Sequence, residues 1–187
     1  MPHEPIPESR GIQDEWLVRT QQAVIPQVVL DEFLARAPGV TAPWLPRIVS
    51  TFLQWVRLEG RHPGVHCLPS LTVLTLWRAF ADFDSAWAEF RRAVELSLGP
   101  APAALTVDRD GLFYAFIHAL ADEGAIYIPV LFSIDEECGI VGGVRYQTTC
   151  LTSDCRFSPP PGVTCLHMEL GDVTPGWLLA NGWWFNG

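Results

Sequence analysis

Five cysteines and five histidines are the side chains here best suited to covalent or metal chemistry, and Cys67 stands apart from the other thiols. It follows a loop bounded by Gly and Pro and precedes an apolar stretch, in the run Gly64-Val65-His66-Cys67-Leu68-Pro69-Ser70-Leu71. That pattern puts a thiol where a helix begins, with Pro69 in the first turn, where no backbone donor is required. Unpaired N–H groups and the positive end of the helix dipole favour thiolate over thiol at such a place. A thiolate nucleophile needs a base, which commonly comes from a distant segment. His3 lies in a polar tail, and His62 and His66 share the Cys67 loop. His118 sits in an apolar helical run and reads as a half-buried structural residue. His167 falls in a β-rich run from Val163 to Leu170 and is the candidate base. Fourteen residues later comes Asn181-Gly182-Trp183, where Asn181 can hold an imidazole in one tautomer and orientation.

Two other chemistries compete for these residues. Cys150, Cys155, Cys165 and His167 are four ligands of the type zinc prefers, and Cys165 and His167, two apart on a strand, share a face. Zinc is the one cofactor in contention, and the thiol chemistry needs none. The other reading is a non-enzymatic viral or bacterial effector that binds a host protein, with eight tryptophans as potential anchors. Cys67 is then only a small buried hydrophobe. Trp16, Trp55, Trp77 and Trp87 lie on apolar stripes, and at least three belong to a core. Asp82, Asp84, Asp108 and Asp110 read as caps and turns rather than a cation site. Asp135-Glu136-Glu137 reads as a solvated hairpin turn.

The elements that must position Cys67 change character along the chain. Residues 13 to 25 and the set Leu30, Phe33, Leu34 and Ala37 carry helical spacing. Leu45, Ile48, Val49, Phe52, Trp55 and Val56 form an amphipathic stripe, with Pro46 in its first turn. A helix is expected from about Cys67 to Phe80, another after Asp84 with Trp87, Phe90 and Val94 inward, and a third over 111 to 121. From residue 124 the pattern reads as strands: Ala125 to Phe132, Gly139 to Thr149, Val163 to Leu170 and Trp177 to Phe185. Helices first and strands second argue an α+β fold, an antiparallel sheet packed on helices.

Composition narrows the class. The 187 residues are 49% hydrophobic and 18% charged, too apolar for a disordered chain. No apolar run approaches the roughly 18 to 20 residues that span a bilayer, and the first residues lack the pattern of a secretory signal. A cytoplasmic protein with no membrane partner is expected. The net charge is −9, which makes nucleic acid a poor partner because affinity there comes mainly from neutralising phosphates. All twelve cationic side chains are arginine.

A cysteine opening the central helix of a helical half, a histidine in a later antiparallel sheet and an Asn-x-Trp run beyond it resemble the papain-like cysteine proteases. The interval of 100 residues between Cys67 and His167 is similar to that in the compact leader proteases with which positive-strand RNA viruses release themselves from a polyprotein. The resemblance covers residues 61–187 and implies a helical subdomain over 61–121 and a β subdomain over 122–187. Residues 1–60 become a helical N-terminal extension that could meet host proteins. It implies Cys67 as nucleophile, His167 as general base and Asn181 as the group orienting it. His62, with the Cys67 N–H, becomes the oxyanion donor, and Trp183 the shield over the His–Asn bond. The substrate it implies is the chain's own polyprotein junction after Asn186-Gly187, in a host cytoplasm.

Overall fold

Apolar residues three and four apart dominate the chain, and helices follow from them. The computed structural model describes residues 10–95, 98–105, 108–124, 128–147 and 163–166, with the side chains of 10–14, 147 and 165 outside that description. Seven helices are present among these residues: α1 (Arg10–Gln22), α2 (Gln27–Arg36), α3 (Leu45–Arg61), α4 (Leu71–Ala81), α5 (Asp84–Val94), α6 (Arg109–Glu123) and α7 (Val130–Cys138). Pro46 does fall in the first turn of α3, and α5 buries Trp87, Phe90 and Val94. Trp55, Trp77 and Trp87 are buried.

Helix α4 is the centre of the bundle. It packs against α2, α3, α5 and α7 and buries Thr72, Val73, Leu74, Leu76, Trp77, Ala79 and Phe80. A helix buried around most of its circumference carries apolar residues on nearly every side. Phe33 of α2, Phe52 of α3, Phe80 of α4, Phe116 of α6 and Phe132 of α7 are all fully buried in one continuous core. Helix α1 docks on α3 through a gap rather than a side chain: a Cβ at Gly60 would lie 2.7 Å from the Trp16 ring.

The expected papain-like α+β fold is overturned. The described residues form only two strands, β1 (Arg145–Gln147) and β2 (Val163–Cys165), and these pair in parallel, with Tyr146 opposite Thr164. The segment read as the strand Ala125 to Phe132 runs into α7 instead. Leu131, Ile134, Asp135 and Cys138 recur at helical spacing and are buried together. Pro129 precedes the first turn, and Gly139 ends the helix in the left-handed region at φ 72°, a conformation that costs glycine little. A short apolar run does not by itself separate a buried strand from a buried helix. The expected strands over 177–185 lie outside the described residues.

Asp135 is likewise not in a solvated turn. It is 3% exposed, and its carboxylate closes the start of α4. Ser70 Oγ donates to it at 2.6 Å, Leu71 N–H at 2.8 Å and Thr72 N–H at 2.9 Å, while Val144 N–H donates from the approach to β1 at 2.9 Å. Ser70 in turn caps its own helix by accepting from Val73 N–H. One buried anion thus satisfies orphan donors of α4 and ties α7, α4 and the sheet together. Asp135→Ala leaves those donors unpaired, and equilibrium urea unfolding should show a loss of about 3 kcal/mol. Ser70→Ala, which leaves the carboxylate in place, should lose about 1 kcal/mol.

Candidate functional site around Cys67

Cys67 lies in the link between α3 and α4, four residues before the first residue of α4. Its sulfur meets a helix N-terminus, but of α6 rather than of the helix it precedes. Asp108, the N-cap of α6, donates its backbone N–H to Cys67 Sγ at 3.2 Å. The Asp108 carboxylate accepts from Gly111 N–H at 2.9 Å. The sulfur and this carboxylate therefore share the donors of the first turn of α6. Gly111 makes that approach possible: a Cβ there would lie 2.8 Å from both the Cys67 nitrogen and its Sγ. Cys67 is partly exposed, unlike the buried Cys138.

Three histidines, the nearest of them next to Cys67 in the chain, form a cluster with ring centroids 4.3, 5.1 and 6.1 Å apart. His66, directly before Cys67, is enclosed, and its Nδ1 donates to Glu59 Oε1 at 2.8 Å. Its Nε2 lies 2.8 Å from His118 Nδ1, a gap that holds a single hydrogen. Both nitrogens of His66 are thus committed, which leaves none for the neighbouring sulfur. His62 stacks on His118, with ring centroids 4.3 Å apart. His118 sits on α6 two turns beyond Gly111, about 10 Å along the axis, and its Nε2 is buried with no hydrogen-bond partner among the described residues. Burial, then the neighbouring His62, His66 and Arg61, lowers its pKa to about 3. His62 is lowered too, mainly by burial and then by His66 and Arg61. Arg57 and Arg61 both bind the Asp122 carboxylate. These cations hold it below its ordinary range against the opposing effect of burial.

The sequence-derived site is brought together only in part. His62, expected as the oxyanion donor, follows the last residue of α3 and stacks on His118. His167, Asn181, Trp183, Asn186 and Gly187 lie outside the described residues. So do Cys150 and Cys155, while Cys165 is in β2 with its side chain outside the description. No group of three or more His, Cys, Asp and Glu among the described residues is arranged to hold a metal. No described helix is long and apolar enough to cross a membrane. The sequence marks Asp108 as a cap and gives Gly111 a weaker mark. A lone glycine near the start of a helical pattern was the available signal. Comparison with protein-family models, curated proteins and solved structures returns no match.

Two measurements test this geometry. Gly111→Ala should lower stability by about 1 kcal/mol or more in urea unfolding, although Ala is ordinarily the better helix former. It should also change the rate at which iodoacetamide alkylates Cys67, because the sulfur must move. The histidine cluster sets a pH dependence. The unfolded chain protonates its histidines near pH 6.5, whereas folded His118 stays neutral down to about 3. Between those values the unfolded state binds more protons, so stability falls as pH falls, with a slope of up to about 1.4 kcal/mol per pH unit for one such group. Asp122 loses its contribution in a separate window, below about pH 4. Unfolding free energies measured from pH 7 to 5 should therefore decline in the parent and decline less in His118→Phe.

Proposed function

We propose that this protein is a cysteine-dependent endopeptidase with Cys67 as its nucleophile, on a largely helical scaffold unlike that of papain. The observation that carries the reading is the Asp108 N–H aimed at Cys67 Sγ at the start of α6. A backbone donor and a helix N-terminus both favour negative charge on the atom they face. The sulfur is also partly open to solvent, as a nucleophile must be. In this reading the thiolate attacks the carbonyl carbon of the scissile peptide, and His167 takes the thiol proton and returns it to the leaving amine. Water then hydrolyses the thioester and restores the thiol. Asn181 orients the imidazole.

Support for His167 as the partner comes from the sheet. Tyr146 Oη donates to the carbonyl of Pro69 at 2.9 Å, two residues past Cys67. Tyr146 is paired with Thr164 on β2. Leu166, which follows β2 and directly precedes His167 in the chain, is buried in the core. The junction to test is the one after Gly187, since a glycine suits a narrow groove that excludes larger residues.

The decisive experiment extends the chain past Gly187 with a short reporter. The parent should release the reporter, and both Cys67→Ala and His167→Ala should leave it attached by at least 95% at the same time point. A parent fusion that stays intact while folded overturns the endopeptidase reading.

A further inference from the structure

The link that carries Cys67 meets α6 at two places. At the first, Asp108 N–H donates to Cys67 Sγ, and the bare backbone of Gly111 admits the Cys67 nitrogen and sulfur. At the second, His118 of the same helix meets His66, the residue directly before the thiol. Downstream of Cys67 the link is held by other elements. Leu68 is buried in the core, Tyr146 Oη donates to the Pro69 carbonyl, and Ser70 is bound by Asp135. Upstream, Pro63, Gly64 and Val65 are exposed. There Glu59 ties the turn, taking Gly64 N–H on Oε2 at 3.2 Å and His66 Nδ1–H on Oε1 at 2.8 Å. The enclosed His66 side chain is therefore what joins this side of the thiol to α6.

The two imidazoles meet end-on. His66 Nε2 and His118 Nδ1 are 2.8 Å apart while the ring centroids are 5.1 Å apart, so the nitrogens point at each other rather than converging on a third atom. Counting hydrogens fixes both tautomers. His66 Nδ1 gives its hydrogen to Glu59, so neutral His66 offers a lone pair at Nε2. The hydrogen in the gap then belongs to His118 Nδ1. His118 Nε2 is left as a buried acceptor with no partner among the described residues. An added proton leaves a hydrogen on that nitrogen whichever ring carries the charge, and no acceptor faces it there. Burial, with His62, His66 and Arg61 close by, opposes that protonation. The donor to His66 therefore stays in place through neutral pH.

We propose that His118 is a positioning residue for Cys67: by donating to His66 Nε2 it holds the link against α6, so that the sulfur stays on the Asp108 N–H. One helix then supplies both the donor that meets the thiol and the side chain that keeps the thiol there. Its value to catalysis rests on the endopeptidase reading above, whereas the placement of the sulfur does not.

The test compares two substitutions at His118 in the full chain. Its readouts are the Asp108 amide resonance and the rate at which iodoacetamide alkylates Cys67, followed by peptide mass spectrometry. His118→Leu removes the donor. It should move the Asp108 amide and slow alkylation about fivefold, because the sulfur loses a group that favours its anionic form. In His118→Asn the amide nitrogen is bonded to Cγ, as Nδ1 is, and can donate to His66 Nε2. It should return the Asp108 amide toward its parent position and the rate to within about twofold of the parent. Val94→Ala, a core truncation on α5, should lower stability and leave both readouts unchanged. In the parent with isotope-labelled histidine, one imidazole hydrogen should couple to nitrogens of both His66 and His118. Parent values of both readouts in His118→Leu, failure of His118→Asn to restore them, or no such coupled hydrogen would each overturn the proposal. None of these readouts needs peptidase turnover. An intact reporter fusion in the parent beside the expected shifts removes the endopeptidase and leaves the positioning supported.

Discussion

A single buried carboxylate joins the central helix of the fold to a late segment of the described chain. Asp135 arrives on α7, late in the chain, and completes the first turn of α4, the helix around which the rest is packed. Burying an anion is costly unless donors surround it. Here four donors come from two segments more than 60 residues apart in sequence. The central helix therefore gains its full N-terminal hydrogen bonding only when α7 is in place. The short sheet is held by the same anion through Val144, which makes helix, helix and sheet one cooperative unit.

The Cys67 site grows from the same construction. The link that carries the thiol enters α4 at Ser70, which Asp135 fixes, and leaves α3 at His62. Between those points the sulfur reaches sideways to the first turn of α6. The α6 N-terminus satisfies two acceptors, the Asp108 carboxylate by the usual capping geometry and the Cys67 sulfur through an N–H that would otherwise face solvent. The lack of a side chain at Gly111 lets a second backbone come that close. Reactivity and packing at this thiol are thus set by the same few atoms.

Much of the helical half was legible because its signal is local. The stripes through Phe33, through Ile48 and Phe52, and through Trp87 and Phe90 mark faces that the core does bury. The β-rich half was misread where local pattern is weakest. Val130 to Cys138 holds only nine residues, and its apolar residues at the start mimic a strand. Asp135 looks like a surface charge because it stands beside Glu136 and Glu137. Only the tertiary partner, 65 residues earlier at Ser70, reveals it as interior. The helix expected to begin at Cys67 begins at Leu71 instead, and the N–H that meets the sulfur comes from Asp108 at the start of α6. Sequence adjacency pointed to α4, whereas the donor belongs to α6, and no periodicity encodes a contact across 41 residues.

The seat of Trp16 on Gly60 has a consequence for the histidines. A glycine one residue from a helix end leaves that turn weak on its own, and the indole of α1 lies over it like a lid on bare backbone. The same turn carries Glu59, whose carboxylate accepts the hydrogen bond of His66 Nδ1, and Arg61, which grips Asp122. Were the first helix to lift away, water would reach that turn and loosen it. The orientation of the His66 and His118 imidazoles would then relax with it. The N-terminal helix is in this sense coupled to the proton positions of the interior through a residue that has no side chain.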